Sequence, residues 1–240
     1  GDVFFEATTF ERYGALNGLS FEALGKLENP ESKRAEKKRG HLDFLLWQQV
    51  DPGDPSWDSP WGAGRPGWSI ECTAMSVKHL GSQIDIHGGG SDLIYPHHEN
   101  EIAQAECAYG PPPFCGHWLH NGMLQLDGVK MSKSLGNLVL ARVLMQTYEP
   151  DQLRLYLLST HLRTDANYHA GDLDGLSERY GRLQTAANSE SAGIAPAAGH
   201  PLQRQFEAAM DNDFQAPTAL AALDGAAQRV LAGTAAPGEA

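Results

Sequence analysis

The sequence predicts an α/β fold that gives way to an all-helical region, and three observations carry that prediction. Between residues 69 and 131, short strand-like apolar runs alternate with longer stretches of helical pattern, as expected for parallel strands covered by helices. One such run, "SQIDIH", leads into glycines at 88–90, the kind of strand end at which open α/β sheets bind ligands. After residue 148 the pattern becomes helical throughout.

The elements follow in order. "DVFFEA" reads as a short opening strand. Residues 20–40, "SFEALGKLENPESKRAEKKRG", are charged and loop-like, and the Lys/Arg cluster at 33–39 reads as a solvated face. "DFLLWQQ" is a compact apolar run. Residues 51–68, "DPGDPSWDSPWGAGRPGW", are too rich in Pro and Gly for a regular element, so an ordered loop with stacked aromatics is expected. "SIECTAMSVKHL" reads as a helix stopped by Gly81. "YPHHENEIAQAECAYG" reads as a helix after Pro96. "HWLHNGMLQLDGVKMS" holds two strands with a tight Asp-Gly turn. "PDQLRLYLLSTHL" and "DLDGLSERYGRLQTAAN" are helical, the second placing Leu173, Leu176, Tyr180 and Leu183 on one face. A small-residue linker over 189–200 precedes two more helices, separated by "DNDFQ".

Composition bounds the function. The net charge of −12 argues against a generally adhesive nucleic-acid binder, although one basic face can still hold a phosphate backbone. Three irregularly spaced cysteines make a disulfide framework improbable and suit a reducing compartment. No apolar run approaches the roughly 18 residues of a membrane span, and the first residues lack the basic and apolar regions of a signal peptide. The expectation is a soluble, cytoplasmic protein.

Three clusters carry chemistry. In "DIHGGGSD", glycines permit close approach of a ligand to the backbone, and Asp92 stands two residues on, where a carboxylate can bond ribose hydroxyls; a bare turn would look the same. In "HHENE", His97 and Glu101 are i and i+4 on one helical face. An imidazole and a carboxylate so placed form a partial zinc site, to which Cys72 on the preceding helix could add a thiolate; an ordinary His–Glu surface pair fits as well. Finally, "VKMSKSLGN" packs Lys130, Ser132, Lys133 and Ser134 into five positions after the hairpin.

Taken together these motifs resemble one family. "KMSKS" is similar to the signature loop of class I aminoacyl-tRNA synthetases. "PGWSIECTAMS", "DIHGGGSDLIYPHHENEIAQAE", "WLHNGM", "SPWGAGRPGW" and "HLRTDANY" resemble the cysteinyl-tRNA synthetases, over nearly the whole chain. The resemblance implies part of a Rossmann-like class I catalytic domain followed by a helical domain. It implies ATP, L-cysteine and the cysteine tRNA as partners, and no membrane. Lys133, supported by Lys130, would contact pyrophosphate as catalytic cations. His87, Gly88, Gly89, Gly90 and Asp92 would hold ATP, with Asp92 near the ribose. Trp68 would wall the amino-acid pocket, with Asp92 also on the substrate. One Zn²⁺ would be held by Cys72, His97 and Glu101. Ser69 departs from the family, which commonly has His there.

The resemblance also divides the chain. Residues 1–66 would be the end of a connecting insertion and its Pro/Gly/Trp loop. Residues 67–148 would be the second half of the catalytic domain, 149–187 a helical stem-contact region, and 188–240 a linker and the start of the anticodon-side domain. The family's His-x-Gly-His motif and its early cysteine, the fourth zinc ligand, do not occur in these 240 residues. Weak or sub-stoichiometric zinc, and weak ATP binding by these residues alone, are therefore expected, with self-association or a complementary N-terminal half as a partner. Besides a cysteine–tRNA ligase, the residues suit a ligase joining cysteine to an amino-sugar, or a non-catalytic relative that binds zinc, nucleotide or a partner.

Overall fold

In this computed structural model, which describes residues 1–29, 34–50, 52–189 and 200–234, the chain forms two units, 1–120 and 121–240. The expected linker lies almost wholly outside the described residues, as does Lys33.

The first unit opens with β1 (Val3–Phe5). A short helix α1 (Phe21–Leu24) follows, its Ser20 hydroxyl accepting from Ala23 N. β2 (Phe44–Gln49) pairs antiparallel with β1 and with β3 (Gly64–Pro66). β3 corrects the expectation that 51–68 contains no regular element. A Cβ at Gly64 would collide with Trp47 Nε1 and meet the Gln48 carbonyl at 2.5 Å, so glycine is what lets this segment lie beside β2. The tryptophans of the loop do not stack on one another either. Trp61 leans on Trp47 of β2, with ring centroids 6.3 Å apart, and Trp57 stays exposed. Lys37 and Arg39 are exposed, as a solvated face requires, but Arg34 and Lys37 also close on the carboxylate of Asp2, at 2.9 and 2.7 Å, and its side chain is only 3% exposed.

The core forms beneath this sheet. Phe44 is fully buried, with the rings of Phe5 and Tyr13 stacked on it at 4.9 and 5.9 Å, and Leu24, Ile102 and Phe114 complete the cluster. Burying a side chain of this size contributes about 1.5–3 kcal/mol.

Helix α2 (Trp68–Leu80) ends at Gly81, whose φ of +96° suits glycine. β4 (Ile84–Gly90) runs through the three glycines rather than stopping before them, which corrects the expected strand-then-loop boundary. A kinked helical turn over Ile94–His98 leads into α3 (Glu99–Ala108), and β5 (Cys115–Asn121) pairs with β4.

The second unit begins with a hairpin, β6 (Leu124–Leu126) and β7 (Val129–Lys130). Its turn residues Asp127 and Gly128 have the positive φ values, 50° and 81°, expected of Asp-Gly. α4 (Ala141–Leu144) and α5 (Pro150–Leu158) follow, the latter with Pro at its start. A strand not expected from the sequence, β8 (Ala166–Tyr168), then pairs in parallel with β6. The Asp165 carboxylate fixes that join by accepting Met123 N at 2.7 Å. α6 (Asp172–Gly175), α7 (Ser177–Ala187), α8 (Pro201–Asp211) and α9 (Ala216–Leu231) complete the unit. Arg179 donates to Asp224 at 2.7 Å, tying α7 to α9.

The α/β class holds, but among the described residues the strands form three small sheets rather than one parallel sheet. β2 pairs antiparallel with both β1 and β3, so this sheet contains no parallel pair. No helix among the described residues is long and apolar enough to cross a membrane.

Candidate functional site

In the first unit, side chains from α2, α3 and β4 converge on one buried carboxylate, that of Glu101 in the first turn of α3. His97 stands one turn earlier on the same face, with Nε2 3.2 Å from Glu101 Oε1. His87 on β4 places Nε2 3.5 Å from Glu101 Oε2. Cys72 comes from α2, and its thiol, the His97 imidazole and the Glu101 carboxylate offer ligand atoms within 4.8 Å of one another.

Local chemistry holds this arrangement. Gln104, one turn past Glu101, accepts from the Thr73 hydroxyl at 2.5 Å and donates to Ser69 Oγ at 3.2 Å. These buried bonds lock α3 to α2 and so fix Cys72 against Glu101. Ser69 therefore stands inside a helix clamp, fully buried. Glu99 and Asn100 turn the other way: Glu99 accepts from Gly14 N and Asn17 N, and Asn100 from the Tyr13 hydroxyl. Three consecutive buried polar residues thus divide between anchoring the helix and facing the site.

The donor set fits zinc. Tetrahedral bonds of about 2.0–2.3 Å place ligand atoms roughly 3.5 Å apart, and a mixed thiolate, imidazole and carboxylate set is one zinc accepts. A second group, His87, His98 and Glu101, also lies within 4.8 Å but carries no sulfur. There His98 Nδ1 already pairs with His120 Nε2 at 2.7 Å. Burial lowers the His87 pKa below its ordinary 6.5, with His97 and His120 adding to the effect. Burial likewise pushes His98 down to about 3, helped by His87, His120 and His97. Both rings stay neutral near pH 7.

Around this centre the Trp68 indole lies 4.5 Å from the His97 ring and remains half exposed, forming a rim. Gly89 has a packing reason to be glycine: a Cβ there would meet His98 Cε1 at 2.7 Å. A Cβ at Gly88 would meet nothing closer than the Leu119 carbonyl at 3.7 Å. Gly90 ends β4, and Asp92 lies exposed in the turn Ser91–Leu93. The sequence alone marks neither Trp118 and His120 as site residues nor His98 as a possible ligand. They pack as one group, with Trp118 4.7 Å from His87 and 5.0 Å from His98. Their signal was the spacing in "WLH": residues i and i+2 of a strand share a face.

Lys130 and Lys133 belong to the second unit. Lys130 pairs with Gln125 at the end of β7, and Met131 N donates to the Leu124 carbonyl at 2.9 Å. Beyond it the chain turns through residues 132–136, leaving Lys133 exposed. The Met131 side chain lines an apolar recess of about 100 Å³ with Leu124, Tyr156 and Leu173.

Comparison with known proteins bears on both units. The family model described as "tRNA synthetases class I (C) catalytic domain" matches residues 1–177. A cysteine–tRNA ligase from Actinobacillus pleuropneumoniae serotype 3 (strain JL03) is 47% identical over 93% of this chain and 48% of its own length. One from Shewanella sp. (strain MR-4) is 46% identical over the same shares. The chain thus spans about half the length of the curated relatives it matches. Among solved structures, Mycobacterium tuberculosis methionyl-tRNA synthetase bound by methionyl-adenylate aligns with a TM-score of 0.57 at 17% identity, over 96% of this chain and 52% of that one. A ternary complex of Agrobacterium radiobacter K84 agnB2 LeuRS with tRNA and LeuAMS aligns at 0.58 and 16%, over 80% and 32%. At these identities the likeness shows the fold alone.

Proposed function

This chain belongs to the cysteinyl family of class I tRNA synthetases, a family of ligases, and from that premise we propose that it carries the cysteine-activating chemistry of a cysteine–tRNA ligase. The observation that carries the reading is the convergence of half-buried Cys72 with buried His97 and Glu101, in a family whose relatives are named for cysteine.

In the first step the cysteine carboxylate attacks the α-phosphorus of ATP. An O–P bond forms, the bridging O–P bond breaks and pyrophosphate leaves. A terminal ribose hydroxyl of tRNA then attacks the acyl carbon, releasing AMP and a proton. Cys72, His97 and Glu101 would hold Zn²⁺, which when bound favours a thiolate over a hydroxyl and so separates cysteine from serine. An apolar pocket alone discriminates such small differences by only about 1–3 kcal/mol.

The chain's own residues supply the rest. Trp68 walls the amino-acid pocket beside His97. His87, Gly88, Gly89 and Gly90 form the ATP-binding strand end, and Asp92 accepts from ribose hydroxyls and faces the substrate. The neutral His87 ring can donate or accept one hydrogen bond without adding charge. Lys133, with Lys130, meets the charge that grows on the phosphate oxygens. The proposed regions remain 1–66, 67–148, 149–187 and 188–240, in a cytoplasmic enzyme; a complementary N-terminal half is the proposed protein partner.

The test is ATP–pyrophosphate exchange in the full-length protein. Exchange should require cysteine and fail with serine. Exchange that is absent with cysteine, or equal with both amino acids, contradicts the proposal. Charging of cysteine tRNA in the same preparation separates it from an amino-sugar ligase.

A further inference from the structure

Asn137 lies at the far end of the lysine–serine loop, and its amide reaches back to the near end. Its Oδ1 accepts Ser132 N–H at 2.9 Å, and its Nδ2 donates to the Lys130 carbonyl at 3.1 Å. One side chain therefore satisfies a backbone donor and a backbone acceptor on either side of Met131, and closes residues 130–137 into a ring. The planar amide of Asn carries an acceptor and a donor side by side, and here one bonds on each side of Met131.

The ring is braced from within. The Ser132 hydroxyl accepts Leu135 N–H at 3.2 Å and lies 3.1 Å from Ser134 Oγ. Gly136 N donates to the Lys133 carbonyl at 3.2 Å, with a φ of +66° at Gly136 that favours glycine. At the foot of the ring Met131 is set in its apolar recess. Both serine hydroxyls are thus engaged in holding the loop's shape, while the Lys133 side chain stands exposed on its crown. A lysine carried on a free seven-residue loop would have to be ordered each time charge developed near it. Here that ordering is built in by hydrogen bonds at the neck.

We propose that Asn137 is a positioning residue: its two-ended hydrogen bond closes the 130–137 ring and thereby presets the Lys133 ammonium for phosphate oxygens. The inference rests on the role given to Lys133 above and adds what holds that lysine in place.

The experiment uses Asn137→Ala, Asn137→Asp and Lys133→Ala in the full-length protein. It reads backbone amide hydrogen exchange over residues 131–136, thermal melting, and ATP–pyrophosphate exchange with kcat and KM separated. Asn137→Ala should speed amide exchange at Ser132, leave melting close to the parent, and lower kcat by up to about 100-fold, since a displacement near 1 Å can cost that much. KM for cysteine should stay near the parental value. Asn137→Asp keeps the acceptor for Ser132 N–H but sets a carboxylate oxygen against the Lys130 carbonyl, so it should keep more Ser132 amide protection than Asn137→Ala while still lowering kcat. A Ser132 amide as protected in Asn137→Ala as in the parent would overturn the clamp. Faster amide exchange with an unchanged kcat, while Lys133→Ala is slow, would reduce Asn137 to a loop brace and overturn its positioning role without touching the proposed function. A silent Lys133→Ala would remove the role of the lysine, and this inference with it.

Discussion

Lys133→Ala should lower the rate of cysteine-dependent ATP–pyrophosphate exchange by about 10²–10³-fold, the usual cost of removing one positioned donor from a developing oxyanion. The side chain is exposed on a loop whose shape the chain fixes by itself, so it has little to do in holding the fold together. Melting should therefore match the parent. The pyrophosphate leaving group gains charge only as the bridging bond breaks, so the lysine acts on kcat more than on substrate affinity. Cysteine binding is assigned to Trp68 and the Cys72 centre of the first unit, and should hardly change. A chain at net charge −12 offers little background positive potential to substitute for the lost ammonium. Stopped-flow or steady-state exchange at saturating cysteine measures the effect. An unchanged rate would place the phosphate contact elsewhere.

Cys72→Ala should weaken zinc binding by at least about 100-fold, the upper end of what loss of a mere supporting hydrogen bond costs a metal site. Here a ligand is removed outright. The remaining imidazole and carboxylate, 3.2 Å apart, make a two-point site that a chelator strips easily. The helix clamp of Gln104 to Ser69 and Thr73 survives the substitution, so α2 and α3 should stay in register. The loss should appear as metal content, not as unfolding. Zinc analysis after dialysis against a chelator of known affinity, with parent and variant side by side, checks this. Equal zinc in both would take Cys72 out of the site, and would direct attention to the group of His87, His98 and Glu101.

What was legible in the sequence was what short-range chemistry decides. The Asp-Gly turn, the Gly81 stop, and the i, i+4 placement of His97 and Glu101 are all local, and each appears where the pattern put it. What was not legible depended on partners distant in the chain. β3 forms because Gly64 can pass beside Trp47, and nothing within residues 51–68 announces that neighbour. β8 exists because β6 had an unpaired edge about 40 residues earlier. Arg34 and Lys37 resembled solvated charge until Asp2, from the other end of the segment, proved to be their shared partner. In the site itself, the ligand types could be read, whereas the Gln104 clamp and the His98–His120 pair could not, because they join elements whose packing the sequence does not state.

We propose above that Cys72, His97 and Glu101 hold a metal that recognises the substrate thiol. The most direct measurement is absorption spectroscopy of the protein with Co²⁺ in place of zinc, titrated with L-cysteine and then with L-serine. A thiolate-to-metal band should appear in the parent and be lost in Cys72→Ala. In the parent the band should grow on addition of cysteine, as a second thiolate joins the ion, and should not respond to serine. A band that persists in Cys72→Ala, or that responds alike to both amino acids, would contradict it.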